Sequence, residues 1–143
     1  MTIAAILERK GRDVATVAAE AALRDAVALL AERRIGALVV TGGEGAVAGI
    51  LSERDIVACL SAEGASILDA PVSRVMTAPA ITIEPQVSVL VALSQMSKLR
   101  IRHLPVVDGG RLAGIVSIGD LVAWRIAMIE REAEAMRAYI QSA

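Results

Sequence analysis

The chain has 143 residues, enough for one compact unit that buries roughly two-thirds of its unfolded surface. More than half of the residues are hydrophobic, but there is one Trp, one Tyr and no Phe, which counts against an aromatic platform for single-stranded nucleic acid. The formal net charge of −1 supplies no global field that would attract nucleic acid or an anionic membrane.

The first half of the chain predicts five elements in the order strand, helix, strand, strand, helix. A short strand at residues 15–17 precedes a helix. Two strands, residues 37–40 and 46–51, are joined by a glycine-rich turn, and a second helix starts at Ser52. The first helix carries one apolar stripe at helical spacing, formed by Leu23, Ala26, Val27 and Leu30.

A small, polar segment at residues 61–66 separates this half from a second series of the same elements. Residues 72–77 read as a short helical turn that opens the second copy, opposite residues 6–11 in the first. A strand at residues 81–83 and a helix follow, then strands at residues 104–107 and 112–116. This second helix has its apolar stripe at Val89, Leu93 and Met96.

The last predicted element is a long helix that starts at Ser117 and runs through Leu121 to Ile140. A single long helix that projects from a small module often finds a partner, so we expect a homodimer. The helix offers an apolar stripe at Leu121, Met128, Ile129, Met136 and Ile140.

One short motif occurs twice, each time between a strand and a helix. Gly49-Ile-Leu-Ser-Glu-Arg-Asp55 returns as Gly114-Ile-Val-Ser-Ile-Gly-Asp120. Ser followed three residues later by an acid is a capping-box pattern, and a single copy favours helix capping over ligand binding. The duplication changes this balance, because the Ser hydroxyl and the Asp carboxylate share a helix face beside a Gly that admits a ligand. A carboxylate suits a ribose diol, and a hydroxyl with helix amides suits phosphate, so the motif is complementary to a nucleoside phosphate.

The tandem pattern resembles a pair of CBS domains (a Bateman module) in a stand-alone CBS-domain protein, over about residues 6–123. The segments Val75-Met-Thr77 and Arg102-His-Leu-Pro-Val-Val-Asp108 are also similar to that family. The resemblance implies an α/β fold of two β-α-β-β-α modules packed with pseudo-twofold symmetry. The predicted modules are residues 6–62 and 72–125, followed by a C-terminal helical extension over residues 126–143.

The resemblance also implies that adenosine ligands such as AMP, ADP, ATP, NAD or S-adenosylmethionine bind in the clefts between the modules. Ser52 and Asp55 would serve one cleft, and Ser117 and Asp120 the other. Family members also bring further residues near the ligand, here Thr16, Thr82, Arg102 and His103. Arg54, next to the first acid in sequence, completes the predicted site. The predicted site has no catalytic residue and no metal ligand.

The two copies differ where the second strand begins. The first copy has Gly36 and Ala37 where the second has Arg102 and His103, and Arg54 stands opposite Gly119. We therefore expect Arg54 beside the first acid, Arg102 and His103 near the second, and clefts that differ in ligand or affinity. His103 is the sole histidine, so it cannot form a metal cluster; a partly exposed polar role and a phosphate contact are equally favoured.

Three functions stay open at this point. A nucleotide-sensing module that signals to an unknown effector protein is favoured. The alternative is a structural homodimerisation module, assembled through module faces and terminal helices, whose Ser-x-x-Asp motifs are only caps. An enzyme is the weakest reading, because no nucleophile–base pair or phosphate-transfer loop is present in the sequence.

The location of the protein is also predicted from sequence. The amino terminus lacks a basic leader followed by a long apolar stretch, and no apolar run is long enough to span a membrane. The one cysteine, Cys59, lies in an apolar run and reads as a buried, inert thiol. We expect a cytoplasmic protein.

Overall fold

The computed structural model describes residues 1–142 as an α/β fold with two small sheets. Short 3₁₀ turns occur at Gly43–Gly45, Ala65–Asp69 and Val72–Arg74. The helices and strands follow in the order α1 (Ile3–Lys10), β1 (Thr16–Ala18), α2 (Leu23–Arg33), β2 (Ala37–Thr41), β3 (Val47–Ser52), α3 (Glu53–Glu63), α4 (Val89–Leu99), β4 (His103–Asp108), β5 (Arg111–Ser117) and α5 (Ile118–Ser142).

The first sheet has the order β1-β2-β3, with β1 parallel and β3 antiparallel to the central strand. The second sheet pairs β4 and β5 in the same antiparallel way. In both hairpins the register shifts next to the turn, between Val40 and Thr41 and between Val106 and Val107. These matching bulges confirm the duplicated hairpin.

The strand predicted at residues 81–83 is wrong in extent, because only Ile83 pairs, as an isolated parallel bridge to Val106. Proline explains the difference between the copies. In the first module the Val39 amide donates to the Ala15 carbonyl at 3.2 Å. Pro105 occupies the equivalent position and has no N–H, so this ladder bond is lost and the strand shortens to a bridge.

The N-terminal helix packs on the second module, although it precedes the first in sequence. Ile3, Ile6 and Leu7 join the core of the second module, and the Ile3 amide donates to the Val87 carbonyl at 2.9 Å. A Cβ on Gly114 would lie 2.7 Å from Leu7 Cδ2, so these two elements are in close contact.

The connecting segment makes the reciprocal crossing onto the first module. Ile67, Val72 and Val75 lie in the first core, and the Leu23 amide donates to the Ala70 carbonyl at 2.8 Å. Each copy's leading segment therefore covers the other module. The boundaries 6–62 and 72–125 remain a division predicted from the repeat, and side-chain packing crosses them.

The long helix α5 is continuous across the predicted start of a separate extension at residue 126. Ala143, the end of that predicted extension, lies outside the described residues. The predicted single stripe is wrong, because Leu121 and Met128 face the second core whereas Ile129, Met136 and Ile140 are exposed. Helical geometry places these side chains on two different faces of α5, whereas the sequence prediction combined them into one stripe.

Two other predictions concern burial and membranes. Cys59 is half-buried against the first core rather than fully buried. None of the helices within residues 1–142 has the length and apolarity that a membrane crossing requires.

Candidate ligand-binding clefts

Both Ser-x-x-Asp motifs form complete capping boxes. The Asp55 amide donates to Ser52 Oγ at 3.2 Å, and the Ser52 amide donates to Asp55 Oδ2 at 3.0 Å. In the second copy the Asp120 amide donates to Ser117 Oγ at 3.2 Å, and the Ser117 amide donates to Asp120 Oδ2 at 2.8 Å. The capping interpretation is therefore correct as local structure, and it uses only one oxygen of each carboxylate.

The first cleft is a cavity of about 330 Å³ between the two modules. It brings the first motif together with the residues that precede β4. Thr77 Oγ1 donates to the second carboxylate oxygen, Asp55 Oδ1, at 3.2 Å. The cleft is lined by Gly36, Ile50, Ser52, Glu53, Arg54, Asp55, Thr77, Arg100, Ile101, Arg102 and His103.

The second cleft is a cavity of about 420 Å³ that contains the second motif. Lys10, at the end of α1, donates to Asp120 Oδ2 at 2.6 Å and to the Ile115 carbonyl at 2.8 Å. The cleft is lined by Lys10, Asp13, Val14, Ala15, Arg33, Arg34, Ile35, Gly36, Ala37, His103, Ile115, Ser117 and Asp120.

The cations are distributed differently from the sequence prediction. Arg102 lines the first cleft with Arg54 and Asp55, so its predicted place beside the second acid is wrong. The physical reason is that each cleft combines the motif of one module with the strand entry of the other. The second cleft has Gly36 and Ala37 at that entry, as the repeat predicts, and its basic side chains are Lys10, Arg33 and Arg34.

His103 borders both clefts. It is half-buried, and Gly36 makes room for it, because a Cβ on Gly36 would lie 3.3 Å from His103 Cε1. Burial lowers the pKa of His103, and the charge of Lys10 lowers it further, whereas Glu53 and Asp120 act in the opposite direction. His103 therefore favours its neutral form at neutral pH.

Asp120 is held in its ionised form. Burial alone would raise the pKa of Asp120, but hydrogen bonds from Lys10 and Ser117 outweigh burial and hold the pKa below its usual range. Within residues 1–142, the hydrogen-bond partners of the Asp55 carboxylate are the Ser52 amide and the Thr77 hydroxyl, and neither is a cation.

The two predicted threonines lie outside both cleft linings. Thr16 and Thr82 are exposed, and neither borders either cavity. Thr77 and Lys10, which the site prediction omits, lie in the clefts instead. The segment Val75-Met-Thr77, noted for its similarity to the family, could have indicated Thr77 as a cleft residue. No sequence pattern indicates Lys10, because its position in the cleft depends on α1 crossing to the other module.

Each cleft therefore offers a carboxylate, a hydroxyl at a helix N-terminus and basic side chains within one cavity. This set can accept hydrogen bonds from a diol and donate them to an anion. Within residues 1–142, no group of three His, Cys, Asp or Glu side chains is arranged to hold a metal ion.

Comparison with known proteins agrees with this architecture. A CBS-domain profile matches residues 7–62 and 72–127. The mitochondrial CBS domain-containing protein CBSX3 of Arabidopsis thaliana is 38% identical over 121 residues, which cover 82% of this chain and 59% of CBSX3. The chain thus spans about three-fifths of the length of that relative.

Two solved structures are also similar. The CBS-domain containing protein ATU1752 from Agrobacterium tumefaciens has a TM-score of 0.84 and 40% identity, covering 87% of this chain and 92% of its own. The CBS domain protein PAE2072 from Pyrobaculum aerophilum, complexed with AMP, has a TM-score of 0.79 and 29% identity, covering 91% and 97%. With two tandem matches over most of its length, this chain belongs to the CBS-domain family.

Proposed function

We propose that this protein is a non-catalytic regulatory module that binds adenosine nucleotides in its two clefts and signals to a partner protein. The observation that carries the proposal is the first cleft, where Ser52 and Asp55 share one cavity with Arg54 and Arg102. A cavity of about 330 Å³ is at the lower end of the range of small-molecule sites. The AMP complex of the Pyrobaculum aerophilum protein supports the ligand class.

Different residues of the first cleft would contact the ribose and the phosphate of a nucleotide. Asp55 would accept hydrogen bonds from the ribose hydroxyls, because a carboxylate has more acceptor sites than its cap and Thr77 use. Arg54 and Arg102 would balance the phosphate charge, aided by the amides that begin α3. AMP, ADP, ATP, NAD and S-adenosylmethionine all contain this ribose.

The second cleft should bind the same ribose less tightly. Lys10 already holds Asp120 at 2.6 Å, so a ribose hydroxyl would compete with a charge-assisted hydrogen bond. The first cleft is therefore the proposed high-affinity site. We attribute the predicted difference in ligand affinity between the clefts to Lys10 and Arg102.

Calorimetry with the five adenosine ligands tests this proposal. Asp55→Asn should weaken the tightest binding more than tenfold, and Asp120→Asn should weaken it less. Asp25→Asn, on the exposed face of α2, is the matched control and should leave binding unchanged. A hundredfold excess of ligand over its dissociation constant should stabilise the fold by about 2.7 kcal/mol.

A structural homodimerisation module is the second candidate, and the two complete capping boxes favour it. In that case Asp55→Asn and Asp120→Asn would lower stability without any ligand effect. Absence of binding for all five ligands at millimolar concentration would reject nucleotide sensing and leave this candidate.

The remaining parts of the proposal concern assembly and location. We propose a homodimer formed through the module faces and terminal helices, a separate effector protein and a cytoplasmic location. The exposed apolar side chains of α4 and α5, such as Leu90, Val91 and Val122, support self-association.

A further inference from the structure

A regular apolar row runs along the exposed side of α5. Its members alternate at intervals of four and three residues, which is the heptad spacing of a coiled coil. Apart from half-buried Ala133, their exposure ranges from 42% to 65%. The row, called the α5 seam, consists of Val122, Ile126, Ile129, Ala133, Met136 and Ile140.

The α5 seam is distinct from the face that α5 buries on its own module. Leu121, Trp124 and Met128 pack into the second core, about a third of a turn around the helix from the seam. Within the described residues, no side chain after Met128 belongs to either core. About four turns of helix therefore project from the module, a length that is only marginally stable alone in water.

The charged residues beside the α5 seam favour a second copy of α5 as its partner, with the two helices parallel. Arg125 and Glu132 take the g positions, and Glu130 and Arg137 take the e positions. In a parallel, in-register pair, each g residue meets the following e residue of the other helix. Arg125 then meets Glu130, and Glu132 meets Arg137, so all four contacts join opposite charges.

An antiparallel pair would be less complementary. In that arrangement g residues meet g residues, and Glu132 would face Glu132 of the second copy near the middle of the seam. The ion pairs found within residues 1–142 involve none of these four residues, so their charges are available to a second chain.

We propose that α5 pairs with α5 of a second copy as a parallel, in-register two-stranded coiled coil through the α5 seam. This deepens the homodimer in the proposed function by naming the surface, its register and its direction. Burial of the seam explains why a helix with no core contacts beyond Met128 continues to Ser142.

Site-specific disulfide formation tests the direction. In a Cys59→Ala background, Ile126→Cys and Met136→Cys should each form interchain disulfides rapidly on mild oxidation. Ala138→Cys, on the outer face of the helix, is the matched control and should stay largely uncrosslinked. Crosslinking only when the two seam variants are mixed would indicate an antiparallel pair and overturn the proposal, as would the absence of any crosslink.

Charge reversal tests the pairing independently. Arg125→Glu should raise the dimer dissociation constant about tenfold by placing like charges opposite each other twice, and adding Glu130→Arg should restore it. Sedimentation equilibrium measures both. A double variant as weak as the single one would overturn the parallel register. Adenosine binding is measured on the same variants, so failure of the coiled coil with intact binding leaves nucleotide sensing standing.

Discussion

Two equivalent aspartates have different partners in the two clefts. Thr77 lies beside Asp55, and its amide donates to the Ile50 carbonyl at 2.9 Å. In the second cleft the Lys10 ammonium reaches both Asp120 and the Ile115 carbonyl. A lysine side chain thus takes the place of a backbone amide, and it brings a positive charge that the first cleft lacks at this point.

The single histidine responds to this charge, although burial is the larger cause of its lowered pKa. Its depressed pKa means that His103 stabilises the fold above the usual value of 6.5, and that this contribution is lost as the pH falls through the folded pKa. Lys10→Met should raise the pKa of His103 by removing a nearby cation. Because the chain has one histidine, NMR titration of the imidazole resonance measures the shift without assignment.

Lys98→Met, which removes an exposed lysine of α4 outside both clefts, is the control for general charge effects. It should leave the pKa of His103 unchanged. An equal shift in both variants would contradict a direct effect of Lys10.

Pairing between β3 and the connecting segment positions Thr77 in the first cleft. Gly49 allows Thr77 to pair with Ile50, since a Cβ at Gly49 would lie 2.7 Å from the Thr77 carbonyl oxygen and 2.9 Å from Met76 Sδ. The bridge in turn holds the Thr77 hydroxyl against Asp55.

Gly49→Ala should therefore lower the free energy of unfolding by about 1–3 kcal/mol, because the added methyl meets a backbone oxygen that cannot rotate away. Gly43→Ala lies in open space in the turn and should change stability by less than about 0.5 kcal/mol. Urea unfolding compares the two. Equal stability of both variants would refute the close approach.

The two hydrophobic cores are connected by exchanged segments. The helix α1 completes the second core, and residues 67–75 complete the first. Movement of one module relative to the other would therefore displace both α1 and residues 67–75 from the cores that they complete. In the proposed function, a nucleotide in either cleft would contact residues of both modules and could bias their relative position.

Leu7→Ala should test this exchange by creating a cavity in the second core, at a cost of about 2–5 kcal/mol. Amide hydrogen exchange should accelerate in β4 and β5 more than in β2 and β3. The matched change in the first core, Leu38→Ala, should give the reverse pattern. Faster exchange confined to β2 and β3 in Leu7→Ala would contradict the crossing of α1.

The duplicated fold and both capping boxes could be predicted from the sequence, because strand and helix periodicities and the Ser-x-x-Asp spacing are local patterns. The site residues predicted from the sequence include Ser52, Arg54 and Asp55, which line the first cleft. The three-dimensional packing determines which module each leading segment covers, that Arg102 shares a cleft with Asp55, and that Lys10 binds Asp120. These contacts depend on packing between segments that are distant in sequence, and residue spacing does not reveal such packing. The two faces of α5 separated for the same reason, since only contact with the second core distinguishes its buried stripe from the α5 seam.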